Sequence, residues 1–310
     1  MFNCFGSIES YLEFYGLKMS AARHEFVPFK SNDFELAGHI FIPLETGCLQ
    51  RPSPLGASLT GFRPQNYKAT VFILHGYLGH CGLLSKLIKY LVESGFAVAV
   101  FDLPGHGLSS GERTAIDDFT QYSQSLNDFM GIIKPRLHGP YHIIGHSTGA
   151  AVVVDYLLGG GDDCFDKVIL TAPLERSDWW LLSKIGFSIS RRFSRFLPRV
   201  FRRASSDRDF LRFVKYKDPL QAKKISLKWV GAMFKWDEKI AGAKNSQRPM
   251  LVIQGTKDNI ISWKYNLKFI QSKFSNTQIK LVEKGGHELF NESEEIRTMV
   301  FSQIKDYLKS

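Results

Sequence analysis

Short apolar runs recur along the chain, separated by stretches that alternate polar and apolar positions at helical spacing. The runs at 69–74, 96–101, 141–145, 167–171, 250–255 and 278–282 have the length and β-branched content of buried strands. Helical patterns fall between them, near 83–93, 117–134, 148–158 and 262–272. Strand-helix alternation of this kind builds a mostly parallel central sheet covered by helices on both faces. Ahead of it, an amphipathic stretch at 8–17 leads into two strand patterns at 23–29 and 34–42. Asn32-Asp33 between these two suggests an antiparallel hairpin. Residues 45–66 are rich in Pro and Gly and read as a surface loop.

The alternation stops at Ala172-Pro173 and resumes at Pro249. Between them Leu181, Ile185, Ile189, Phe193 and Leu197 recur every four residues. They predict one helix with a single apolar stripe, ended by Pro198. Trp179, Trp180, Phe196, Phe201, Phe210, Phe213, Trp229, Phe234 and Trp236 add aromatic surface. The reading is an α/β core in two parts, 1–172 and 249–310, with a helical cap insertion at 173–248.

Charge sharpens that division. The 310 residues carry a net +10. Residues 175–248 alone hold 19 Lys and Arg against 7 Asp and Glu, an excess of 12, so the rest of the chain is slightly acidic. No apolar stretch approaches the roughly 20 residues needed to cross a bilayer. The first residues lack the basic-then-apolar pattern of a secretory signal. Cys4, Cys48, Cys81 and Cys164 are scattered, with no pair at zinc-ligand spacing, and read as free thiols in a reducing cytoplasm. No metal and no cofactor is called for.

The candidate chemistry begins at Gly145-His146-Ser147-Thr148-Gly149, which follows one strand pattern and opens a helix. Glycines on either side permit a sharp turn that projects the serine hydroxyl from the sheet edge. Upstream, the first core strand runs into His75-Gly76-Tyr77-Leu78-Gly79. Downstream, Asp258 follows the strand at 250–255, and Gly285-Gly286-His287 follows the one at 278–282. Serine, aspartate and histidine each lie past the C-terminal end of a strand, where open α/β sheets place catalytic groups. A serine hydroxyl needs a base to act at neutral pH, and the base needs an orienting acid. Ser147 as nucleophile, His287 as base and Asp258 as acid meet that need. The competing readings are a helix N-cap for Ser147, a turn residue for Asp258 and a solvated loop residue for His287. Glu283 or Glu288 is the fallback acid. His75, His106 and His146 are expected to hold loops by hydrogen bonds, as are Asp102 and Glu112.

These segments, with Phe101-Asp102-Leu103-Pro104-Gly105-His106-Gly107-Leu108-Ser109-Ser110-Gly111 and Gly286-His287-Glu288-Leu289-Phe290-Asn291-Glu292, make nearly the whole chain resemble the α/β-hydrolase superfamily. Within it the chain is most similar to the monoacylglycerol lipase and lysophospholipase group, classed with serine aminopeptidase-type hydrolases. The resemblance implies the same Ser147, Asp258 and His287, with the backbone amides of Tyr77 and Thr148 as oxyanion hole. Two departures are His80, where the group often has an acid, and Thr148, where it often has methionine. Both positions are expected near the acyl site.

The function expected is a serine carboxylic-ester hydrolase acting on monoacyl lipids, either monoacylglycerol or lysophospholipid. A thioesterase or small-amide hydrolase would use the same residues. A membrane-binding relative with an idle triad is the third reading. The basic cap fits peripheral contact with an anionic membrane, attraction of amphiphiles with phosphate head groups, or simple solvation of its helices. Nucleic acid is not an expected partner, because no binding module accompanies the charge. The sequence leaves the oligomeric state open.

Overall fold

A computed structural model describes residues 4–44, 67–161 and 164–310. The loop expected over 45–66 lies outside the described residues. Helix α1 (Ile8–Phe14) is capped by Ser7, whose hydroxyl accepts from the Ser10 amide. Strands β1 (Ala22–Ser31) and β2 (Phe34–Pro43) form the expected antiparallel hairpin, and Asn32 takes the positive φ of its turn. The alternating unit follows as β3 (Thr70–Leu74), α2 (Ser85–Glu93), β4 (Ala97–Phe101), α3 (Thr120–Ile133), β5 (Tyr141–His146), α4 (Thr148–Leu158) and β6 (Phe165–Thr171).

After β6 come α5 (Trp180–Ser190), β7 (Phe196–Pro198), α6 (Arg208–Tyr216), β8 (Lys224–Ser226) and α7 (Leu227–Ala241). The core resumes with β9 (Met250–Gly255), α8 (Trp263–Lys273), β10 (Thr277–Val282) and α9 (Glu294–Lys309). One sheet of eight strands runs β1-β2-β4-β3-β5-β6-β9-β10, parallel from β4 to β10. Strand order reverses at β3, so the crevice above β3 and β5 is the natural place for a site.

The central strands β3, β4, β5 and β9 are buried on both faces, which explains why they read as nearly unbroken apolar runs, while the edge strands β1 and β10 are partly exposed. Phe72 and Leu74 of β3 point to a core with α3 and α4, while Val71 and Ile73 point to one with α1, α2 and α9. Asp102, fully buried past β4, ties two loops together. Its carboxylate accepts from the amides of Cys81 and Leu108, both at 2.7 Å. Gly107 has φ 50°, and any Cβ there would overlap that carboxylate, so only glycine fits.

One expectation fails. The stripe from Leu181 to Leu197 does not form a single helix ended by Pro198. Helix α5 ends at Ser190, and Phe196–Pro198 pairs instead with Lys224–Ser226 as a two-stranded sheet. Leu181, Ile185, Ile189 and Phe193 are all more than half exposed. The helix is held through its other side, where Trp180 and Phe187 pack edge-on against Phe234 of α7 at 4.7 and 5.3 Å. Periodicity reports an apolar face, and it does not report what covers that face.

Because Asp102 satisfies two buried donors, Asp102→Ala should lower the unfolding free energy by about 2–5 kcal/mol, measured by urea denaturation. A change under about 0.5 kcal/mol would show that the loops do not depend on it.

Candidate active site

β5 ends at His146, and the chain turns at Ser147 with φ 51° and ψ −114°, a region that L-residues seldom occupy. A Cβ on Gly145 would come within 2.6 Å of the Ala150 backbone, and one on Gly149 would run into the Leu74 carbonyl. The two glycines therefore make the turn possible. The Ser147 amide donates to the Thr171 carbonyl at 2.9 Å, and its own carbonyl accepts from Ala151 and Leu174.

β9 and β10 bring the other two groups. Asp258 follows β9, and its Oδ1 accepts from the amides of Ile260 (2.9 Å) and Ile261 (3.3 Å). Its Oδ2 accepts from Gln254 at 3.1 Å and from His287 Nδ1 at 2.8 Å. Gly255 allows the 285–286 segment to pass against β9. The amide of Gly286 donates to buried Glu292 at 2.7 Å, fixing the loop that carries His287. His287 Nε2 then lies 3.0 Å from Ser147 Oγ. With its proton on Nδ1, directed at Asp258, the imidazole presents Nε2 as an acceptor for the serine hydroxyl.

Electrostatics fit that arrangement. Burial opposes charge on Asp258, but His287 and the hydrogen bonds from His287, Ile260 and Gln254 hold its carboxyl below the usual range. Burial likewise opposes a charged His287, yet Asp258 raises its pKa above 6.5. Neither fallback acid takes this place. Glu283 is exposed, and Glu288 lies 3.8 Å from His146 and is held down at about 2 against burial by His146 and His287.

Ser147, Thr148, Tyr77 and His287 line a cavity of about 420 Å³. The Thr148 amide belongs to the first turn of α4, where the helix offers no acceptor. Tyr77 is pinned by its side chain, which stacks on Trp229 at 3.7 Å and donates to the Thr114 carbonyl at 2.9 Å. The remaining walls come from the segment between β6 and β9, with Trp180, Phe187, Val230, Met233 and Phe234 among them. Ser183, Gly186 and Ser190 give α5 a thin face toward this cavity. Trp236 does not reach it. Its indole donates to Asp155 at 3.1 Å and packs on Phe119 in the core.

His75 and His106 hold loops: His75 contacts the Gly76 carbonyl (2.8 Å) and the Leu103 amide (2.9 Å), and His106 contacts the Pro104 carbonyl (2.9 Å). Burial depresses both, His75 to about 4 and His106 to about 3. Glu112 pairs with Arg195 at 2.6 Å and stands apart from Asp102. His146 is nearer the chemistry than its loop role suggested, with its ring centre 5.1 Å from that of His287. His80 is a correction. Rather than lining the acyl site it is buried, with Nε2 3.0 Å from Asp218, a partner 138 residues away that no local pattern could indicate. Among the described residues no group of His, Cys, Asp and Glu is arranged to hold a metal.

Sheet order, the strained serine and the two partners beyond later strands define an α/β-hydrolase. The family model for serine aminopeptidase S33 matches residues 65–294, and the chain belongs to that family. It is 29% identical over 258 residues to a monoglyceride lipase homolog of Monkeypox virus, covering 80% of this chain and 92% of that protein. It is 23% identical over 257 residues to the monoglyceride lipase of Mus musculus, covering 78% and 82%. A soluble variant of the Saccharomyces cerevisiae monoglyceride lipase, solved with a substrate analogue, has the same fold. Its TM-score is 0.74 at 18% identity, covering 94% of this chain and 96% of that one.

The geometry makes His287 measurable. Its NMR titration midpoint should lie above 6.5, and Asp258→Asn should lower it. A midpoint that ignores the substitution would mean that the contact does not govern the imidazole.

Proposed function

We propose that this enzyme hydrolyses the ester bond of monoacyl lipids, such as monoacylglycerol or lysophospholipid. Ser147 is the nucleophile, His287 the base, Asp258 its orienting acid, and the amides of Tyr77 and Thr148 form the oxyanion hole. The observation that carries this reading is the unbroken hydrogen-bond path from Asp258 through His287 to Ser147 at the wall of an apolar cavity. The monoglyceride lipase relatives point to the same ester chemistry.

In the first step the serine proton passes to Nε2 as Oγ attacks the carbonyl carbon. Negative charge moves to the carbonyl oxygen, where two amide donors receive it, each worth about 3–4 kcal/mol in the transition state. Collapse expels the alcohol, which takes the proton from His287, and water then repeats the cycle on the acyl-enzyme. The aromatic walls suit an acyl chain, since burial contributes about 0.8 kcal/mol per methylene.

Residues 173–248 act as a cap over this cavity. The outward face of α5, with Leu181, Leu182, Ile185 and Ile189 exposed and Arg191, Arg192 and Arg195 close by, suits peripheral docking on an anionic membrane from the cytoplasmic side. The free thiols of Cys4 and Cys81 agree with a reducing compartment. Among the described residues no helix is long and apolar enough to cross the bilayer.

A fluorophosphonate probe should label the protein, and Ser147→Ala should abolish labelling and reduce kcat/KM by a factor on the order of ten thousand or more. With p-nitrophenyl esters, medium and long chains should be preferred. A peak at acetate with nothing beyond butyrate would refute the lipid assignment.

The base must be neutral to accept a proton, so kcat/KM should rise with pH through the pKa of His287, which lies above 6.5. A flat profile from mildly acid to mildly alkaline pH would remove His287 from the mechanism.

A further inference from the structure

A second cavity, of about 350 Å³, adjoins the first and shares Tyr77, Leu78, Arg199, Arg202, Ala204 and Glu288 with it. Its lining includes five cationic side chains, Arg199, Arg202, Arg203, Arg208 and Lys215, against one carboxylate, Glu288. That carboxylate lies 3.8 Å from His146 Nε2. Arg202 pairs with Asp178 at 3.0 Å, on the rim. Arg199 is partly buried and held by neutral groups, the side chain of Gln221, the carbonyl of Ala222 and the ring of Phe201. Among the described residues, Arg203 and Arg208 have neither an ion pair nor a hydrogen bond. Like charges gathered in a concavity repel one another and focus a positive potential there. Solvation explains the arginines of the outward α5 face, which water surrounds. Arg202, Arg203, Arg208 and Lys215 are also exposed, but unlike those arginines they line a concavity that shares walls with the one at Ser147.

The direction of the reaction gives the chamber a place. His287 returns its proton to the departing alcohol, so that alcohol lies on the histidine side of the scissile bond. Glu288, next in the chain after His287, is a wall common to both cavities, and the apolar walls for the acyl chain belong to the first. We propose that the second cavity binds the phosphate of a lysophospholipid headgroup, with Arg203 and Arg208 as its unpaired ligands and Arg199 at the junction. This rests on the ester-hydrolase reading above and narrows its substrate. A glycerol headgroup alone would leave the arginines unmatched, whereas a phosphate oxygen accepts from guanidinium groups in a favourable fork geometry.

The test uses decanoylglycerol and decanoyl-lysophosphatidylglycerol as monomers in solution, so that membrane docking does not enter. The ratio of kcat/KM, phosphate-bearing over neutral, should exceed one. It should fall by about tenfold or more in Arg203→Ala/Arg208→Ala. Arg212→Ala, a charge removed from the same helix but off the cavity, should leave the ratio unchanged. An equal fall on both substrates, or the same loss with Arg212→Ala, overturns the site.

Binding to the Ser147→Ala protein, measured by calorimetry, is independent of turnover. Tighter binding of the phosphate lipid, weakened by the double substitution, upholds the chamber even if no ester is cleaved, in which case only the hydrolase reading falls. Equal binding of the two lipids overturns the chamber even if esterase activity is present. Inorganic phosphate binding as tightly as the phosphate lipid would assign the chamber to free phosphate and overturn the headgroup assignment.

Discussion

The contact between the Gly145–Gly149 turn and the end of β3 constrains everything else in the site. Two missing Cβ atoms let α4 start directly beneath the Leu74 carbonyl, and the same proximity forces Ser147 to a positive φ. Strain of this kind costs about 1–3 kcal/mol and persists only where surroundings over-determine it. Here they do, through the Ser147 bonds to Thr171, Ala151 and Leu174. Because the serine is fixed relative to β5, loops leaving β9 and β10 need only hold Asp258 and His287 at one distance each. Their own anchors are the Ile260 amide and the buried Glu292 carboxylate.

The oxyanion loop and the segment between β6 and β9 are mechanically one piece. Tyr77 stacks on Trp229, Gln221 donates to the Leu78 carbonyl at 3.1 Å, and Asp218 receives both His80 and Tyr15. Asp218 stays below the usual carboxylate range despite its burial, because these donors favour the charged form. A displacement of this segment would therefore pull on Tyr77, whose amide is proposed to receive the carbonyl oxygen. The buried His80–Asp218 contact thus ties the loop after β3 to the segment between β6 and β9.

Most of the architecture was legible because buried parallel strands and glycine-flanked turns leave strong local marks. The runs at 69–74 and 250–255 are apolar on both faces for a physical reason, namely that helices cover both sides of the sheet. Ser147, Asp258 and His287 could be ordered along the chain because each follows a strand pattern, and the structure brings all three side chains within hydrogen-bond reach. What could not be read concerns contacts between distant segments. Neither the His80–Asp218 pair nor the approach of Glu288 to His146 has a local signature. The apolar period of α5 was plain, but the choice between core and solvent for that face depended on β7 pairing with β8, a competition three-residue strands hardly announce.

Helix α5 exposes Leu181, Leu182, Ile185 and Ile189, and toward the cavity it sets three small residues beside Trp180 and Phe187. Ser183, Gly186 and Ser190 border the cavity, and a Cβ added at Gly186 would meet no other atom within 4 Å. The room in the chamber is thus set in part by small side chains at these three positions. Each step up in side-chain size there would subtract room without disturbing the fold or the proton path. Descendants of one ancestral gene could in this way part company over the molecules they accept while keeping identical catalytic machinery.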